Sequence, residues 1–166
     1  MLNERIETAF NEQIAAELYS AYIYLSMAAY CEDENLGGFA HWLQLQADEE
    51  VDHAMRLFNF ILERGGQVEL LPIDKPPKDF NSPLDVFEKA LDHERKITGK
   101  IENLYQLALE EEDYAAQVFL QWFIDEQVEE EASAEEIVEK LKMVGDKKHV
   151  LLSIDRDLGQ REVDEE

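Results

Sequence analysis

The sequence predicts an all-α protein: four long helices in a bundle, one long crossover between the second and third, and a short fifth helix near the C-terminal end. Three observations predict it. Glycine (7) and proline (4) are scarce in 166 residues, and they cluster at a few points. Between those points apolar residues recur at three- and four-residue steps, as on a helix face. One break, residues 65–82, is much longer than a helix hairpin needs.

The breaks are Gly37-Gly38, then a stretch from Gly65-Gly66 through Pro72, Pro76-Pro77 and Asn81-Ser82-Pro83, then Gly145 and Gly159; Gly99 is isolated. They delimit helices near 4–32, 36–64, 83–111 and 113–145. The third has the clearest start, with Ser82 as N-cap, Pro83 at the first helical position and Asp85 in the first turn. The fifth, near 147–158, carries Val150, Leu151, Ile154 and Leu158. A helix near 29 residues is roughly 43 Å long at about 1.5 Å per residue. An extended linker covers up to about 3.3 Å per residue, so 65–82 can run the length of the bundle. Residues 1–145 are read as the bundle, and 146–166 as a short helix and acidic tail of the same domain.

Composition narrows the function. The chain has 39 acidic against 15 basic residues, a net charge of −24. Nucleic acid and anionic membrane surfaces are unsuited partners, since both need a basic footprint, whereas metal cations are attracted. Apolar residues make up 45%, enough for a core and too many for a disordered acidic tail. No apolar run approaches a membrane span, no secretory signal opens the chain, and Cys31 has no disulfide partner. These point to a cytoplasmic protein.

The apolar stripes carry the chemistry. On the first helix Phe10, Ile14, Ala21, Leu25 and Ala28 share a face with Glu17, and Tyr24 lies two turns beyond it. On the second, Phe39, Leu43, Leu57 and Phe60 are interrupted by Gln46, Glu50 and His53. On the third, Phe87, Leu91, Ile97, Ile101 and Leu104 are interrupted by Glu94. On the fourth, Phe119, Phe123, Ala134, Ile137 and Leu141 are interrupted by Gln127 and Glu130. Each helix breaks its apolar rule near its midpoint, and in a bundle midpoints meet. Several carboxylates in one buried region cannot all stay ionised without a compensating cation. Four carboxylates and one imidazole suit a pair of divalent metals better than a thiolate-type zinc site.

Glu50-x-x-His53 puts two ligands on one helix face. About one such acid–histidine spacing is expected by chance in so acidic a chain, so the motif gains weight only from matching depth with Glu17, Glu94 and Glu130. Most other carboxylates read as a solvated surface. In Glu129-Glu130-Glu131, Glu130 points inward and Glu131 outward. Tyr24 is either a core aromatic or a neighbour of the site. His41 and His149 read as surface or packing residues, His93 as a surface residue, and Met27, Met55 and Met143 as core filler. Trp42 and Trp122 read as packing groups, Trp122 near the site, and Cys31 as inert.

At this point the chain resembles the bacterial and archaeal non-haem ferritins. The resemblance rests on Glu-Leu-Tyr-Ser-Ala-Tyr-Ile-Tyr-Leu-Ser-Met-Ala (17–28), Glu-Glu-Val-Asp-His-Ala-Met (49–55), Glu-Arg-Gly-Gly (63–66), Pro-Leu-Asp-Val-Phe (83–87), His-Glu (93–94) and Phe-Leu-Gln-Trp-Phe-Ile-Asp-Glu-Gln-Val-Glu-Glu-Glu (119–131). It implies a ferritin-like bundle with a ferroxidase site. One iron would be held by Glu17, Glu50 and His53, with Glu50 bridging to a second held by Glu94 and Glu130. Gln127 would sit beside the second iron and Tyr24 beside the first. A third iron position would involve Glu49, Glu126, Glu129 and Glu130. The resemblance further implies O2 or hydrogen peroxide as oxidant, a homo-oligomeric cage, usually of 24 subunits, and iron storage inside it. The fifth helix would lie near the four-fold axes.

Departures from related families narrow the reading. Bacterioferritins carry Glu-x-x-His on the fourth helix, where this chain has Gln127-Val-Glu-Glu130. Their haem-binding methionine is replaced by Val51, so no haem is expected. The Cys-x-x-Cys domain of rubrerythrins is absent. The channel carboxylates of animal ferritins correspond to Gln117 and Leu120. Two rivals remain: a di-iron peroxidase or oxygenase of the same bundle class, and a non-catalytic acidic scaffold.

Overall fold

A computed structural model describes residues 1–163. Among these, five helices form and no strand does: α1 (Glu4–Asp33), α2 (Gly37–Glu63), α3 (Pro83–Glu110), α4 (Tyr114–Val144) and α5 (Lys148–Leu158). The expected boundaries agree within a residue or two. The expected acidic tail is described only to Val163; residues 164–166 lie outside the described residues.

Local chemistry sets the helix ends. Asn3, Ser82 and Asp113 cap α1, α3 and α4, accepting from the backbone N–H of Arg5, Asp85 and Ala116, which satisfies donors that a helix start leaves open. The α1–α2 and α3–α4 hairpins close alike. Asn35 and Glu112 take left-handed φ values of 61° and 53°, and the amides of Leu36 and Asp113 reach back to the carbonyls of Cys31 and Ala108. Arg64, at the end of α2, forms a bidentate pair with the Asp113 cap at 3.0 Å. α2 has no cap of its own; Asp155 of α5 supplies one by accepting from Phe39 N–H at 3.0 Å.

The long linker is a crossover. Near Gln67 it is tied to α1 through Glu7 and Asn11; further on Ser26 donates to the Pro77 carbonyl, and Phe80 packs edge-on against Tyr30. From Glu7 to Tyr30 is roughly 35 Å of helix at about 1.5 Å per residue, so the linker follows α1 for most of its length. α1 packs mainly on α2 and α3 mainly on α4, with α1 against α3 closing the bundle.

The core is in two parts. One holds Phe39, Leu43, Phe87, Ile137 and their neighbours; the other holds Phe10, Leu57, Ile101, Phe123 and theirs. Between them each of α1–α4 contributes buried polar residues: Glu17 and Ser20, Glu50 and His53, Glu94, and Gln127 and Glu130. The apolar stripes are right except at their margins. Leu25 is half exposed, and so is Met55, while Met143 is almost fully exposed; only Met27 of the three methionines is core. Those residues lie beyond the edge of the roughly 100° arc a surface helix buries. Among the described residues no helix is long and apolar enough to cross a membrane.

Candidate metal centre

The polar belt gathers the expected side chains. Ligand atoms of Glu17, Glu50 and His53 lie within 4.8 Å of one another, and so do those of Glu50, Glu94 and Glu130. Glu50 belongs to both groups, so it stands between them. His53 Nδ1 is 3.4 Å from Glu50 Oε2. The four carboxylates are at most 5% exposed. A third group, His53, Glu126 and Glu130, adjoins these two. Glu126 was expected there; Glu129 is exposed and joins none of the groups. Glu49 is half-buried and engaged by Arg161, both of its oxygens accepting at 2.8 Å.

Burial governs the electrostatics. Desolvation pushes the Glu17 carboxyl up to about 7. Burial, reinforced by neighbouring carboxylates, holds Glu50 and Glu130 well above the ordinary range; Glu94 is raised by burial as well. Neither oxygen of Glu50, nor Oε2 of Glu17, receives a hydrogen bond from a protein donor. Buried polar atoms are almost always partnered, so three unpartnered carboxylate oxygens in one place mark a site shaped for something the chain does not supply. A divalent cation fits that donor set of hard oxygens and one imidazole.

Surrounding residues orient the carboxylates. Tyr24 donates to Glu94 Oε1. This contact ties Tyr24 to the second group, whereas the expectation set it beside the first. Gln127 Nε2 lies 3.2 Å from Glu94 Oε2, Glu94 O and Thr98 Oγ1. Trp122 packs edge-on against His53, with ring centroids 5.3 Å apart.

Gln13 escaped the sequence reading: it donates to Glu17 at 2.8 Å, and its place one helical turn before that carboxylate is the available signal. Gln46, expected on the inward stripe of α2, donates to Glu130. His93 is not a surface residue. It is half-buried and pairs with Ser20 at 2.7 Å, and burial pushes it down to about 4, so it is neutral there. His41, half-buried, shares a hydrogen bond with the Arg161 carbonyl, whereas His149 is exposed. Leu120 is fully buried, so its side chain offers nothing to a channel. Cys31 is buried and its thiol is pushed up to about 12, as an inert core residue would be.

A four-helix bundle with one long crossover and a buried mid-bundle group of four carboxylates and a histidine defines the ferritin-like class. The Ferritin-like domain family model matches residues 7–144. The chain is 44% identical to a bacterial non-heme ferritin of Bacteroides fragilis over 97% of this chain and all of that one. It is 39% identical to one of Staphylococcus aureus over both full lengths. It superposes on an open-pore ferritin of Archaeoglobus fulgidus with a TM-score of 0.97 and 47% identity, covering 98% and 100% of the two chains. The engineered closed form of the Archaeoglobus ferritin gives 0.98 at 46% identity, covering 99% and 100%. The chain belongs to the ferritin family of iron-storage proteins.

Proposed function

We propose that the buried group is a ferroxidase centre: Glu17, Glu50 and His53 take up one Fe(II), and Glu50, Glu94 and Glu130 a second. The observation that carries this is the set of unpartnered oxygens on Glu17 and Glu50 inside a fully buried carboxylate group. Iron is the substrate. Two Fe(II) give up two electrons; O2 with two protons becomes hydrogen peroxide, or peroxide with two protons becomes two waters. The protein's part is to position the ions, neutralise their charge and keep the centre in a low-dielectric interior. Carboxyls that hold protons in the metal-free state release them as iron binds. Gln127 and Tyr24 orient Glu94. The Fe(III) product moves on to mineral inside a homo-oligomeric cage, for which the whole-length likeness to an open-pore ferritin is the support.

The same geometry disfavours an oxygenase acting on an organic molecule. The cavity reaching His53, about 300 Å³, is lined by Leu45, Asp48, Glu49, Asp52, Glu126 and Val163, an acidic mouth suited to a cation. The test is rapid-mixing oxidation of Fe(II) by the assembled protein and by a Glu50→Ala, Glu94→Ala double variant. Loss of the fast phase is expected, and unchanged fast oxidation rejects the centre. Electron microscopy after aerobic loading should show mineral-filled shells.

A further inference from the structure

We infer that Arg161 is a tethered cation that competes with iron at the acidic mouth of the metal centre, so that the C-terminal segment controls how tightly an ion is held between the buried pair and the open cavity. The inference rests on the iron reading above.

The geometry is specific. Past α5 the chain turns, with Arg161 N–H on the Leu158 carbonyl at 3.2 Å. The Arg161 carbonyl is then 2.8 Å from His41 Nε2. Its guanidinium lies 4.7 Å over the Trp42 ring. Nη1 donates to Gln46 Oε1 at 2.9 Å and to the Trp42 carbonyl at 3.3 Å. Nη2 donates to both oxygens of Glu49 at 2.8 Å. Gln46 in turn donates to Glu130, so Arg161 is one side chain away from a proposed iron ligand. Two residues on, Val163 lines the cavity with Glu49, Asp52, His53 and Glu126. The segment therefore lines the mouth with Val163 and sets a positive charge against Glu49 at its edge.

Two consequences follow from charge and connectivity. While Arg161 Nη2 bridges both Glu49 oxygens, that chelating face of the carboxylate is closed to a divalent ion, and the guanidinium charge weakens the attraction at the remaining lone pairs. α5 carries only partly buried side chains, Leu151, Ile154 and Leu158 packed against the core, so the contacts of Arg161 itself largely set how readily the segment detaches. An ion arriving at Glu49 and Glu126 thus displaces Arg161, and Arg161 returning weakens the hold on that ion and favours its onward release.

The experiment uses the full-length assembled protein and Zn(II), a redox-inert stand-in for Fe(II). Calorimetry is run on the unmodified protein, Arg161→Gln and Arg161→Lys, with hydrogen exchange of residues 155–163 followed in parallel. If Arg161 is docked about nine-tenths of the time, its removal tightens the weakest Zn(II) site about tenfold. The lysine variant should fall between, since it keeps the charge and loses the planar fork. In the unmodified protein Zn(II) should speed exchange at Glu162 and Val163; in Arg161→Gln that exchange should already be fast. Equal affinities in all three proteins, or exchange that Zn(II) leaves unchanged, overturn the inference while two tight ions per subunit leave the iron reading standing. Failure of the unmodified protein to bind Zn(II) at the buried pair overturns both.

Discussion

The Tyr24 hydroxyl donates to Glu94 across the middle of the bundle, and both side chains are buried from water. The bond stabilises the ionised carboxylate against its own burial, and the same carboxylate partly offsets the cost of hiding a phenol. Tyr24→Phe removes the donor and leaves the rest of the ring in place. A hydrogen bond to a charged group contributes about 1.5–3 kcal/mol. We therefore expect the variant to bind the second Fe(II) about tenfold more weakly and to oxidise more slowly at limiting iron. Anaerobic Fe(II) titration and rapid-mixing absorbance check this; unchanged binding would show that Gln127 alone orients Glu94.

Glu50→Gln should make the metal-free protein more stable while abolishing tight binding of the ion pair. Glu50 is raised well above the ordinary range by burial, so folding must neutralise a carboxylate that the unfolded chain ionises, and an amide of the same shape carries no such cost. Metal-free protein should melt several degrees higher, a shift that one or two kcal/mol produces. A lower melting temperature would mean that the carboxyl has stabilising partners and that the centre is not strained in the absence of metal.

Stability of the metal-free protein should fall as pH rises from 5 to 8. Glu17 sits at about 7 when folded, above an ordinary glutamate, and Glu50, Glu94 and Glu130 are raised as well. In that window the folded state holds protons that the unfolded chain has released, so stability declines with pH. The lowered carboxyls, Asp85 and Asp113, act oppositely only below the ordinary aspartate range, whereas His93, pushed from 6.5 down to about 4, opposes the decline up to its ordinary value, so the fall is steepest above that value. Zn(II) should abolish the decline, because it takes the place of the protons. Melting curves with and without Zn(II) decide it; a flat metal-free profile contradicts the electrostatic account.

Gly38→Ala should undock α5. Glycine to alanine inside a helix normally gains up to about 1 kcal/mol, but here an added Cβ would lie 1.6 Å from the Asp155 carbonyl oxygen. The bond from Phe39 N–H to Asp155 that caps α2 is lost with it. Exchange over 148–163 should rise sharply while the four-helix core keeps its protection. Unchanged protection of α5 would show that it can dock at a greater distance.

The bundle and the buried carboxylate group were legible in the sequence because both leave periodic marks. Glu17, Glu50, Glu94 and Glu130 each interrupt a regular apolar stripe, and a charge at a core position is conspicuous. What was not legible depends on contacts between distant parts of the chain. Arg161 meets Glu49 only because α5 folds back beside α2, and nothing near Arg161 announces that. His93 seemed a surface residue since it lies off its own helix's stripe, yet Ser20 of α1 covers it. Leu25 and Met55 failed the other way, being apolar residues at the margin of a stripe that the packing leaves outside.

The most direct test of the central claim is anomalous scattering from crystals soaked anaerobically in Fe(II). The account predicts two iron peaks per subunit, one among Glu17, Glu50 and His53 and one among Glu50, Glu94 and Glu130. Iron found only at exposed carboxylates, with no peak inside the bundle, would contradict it.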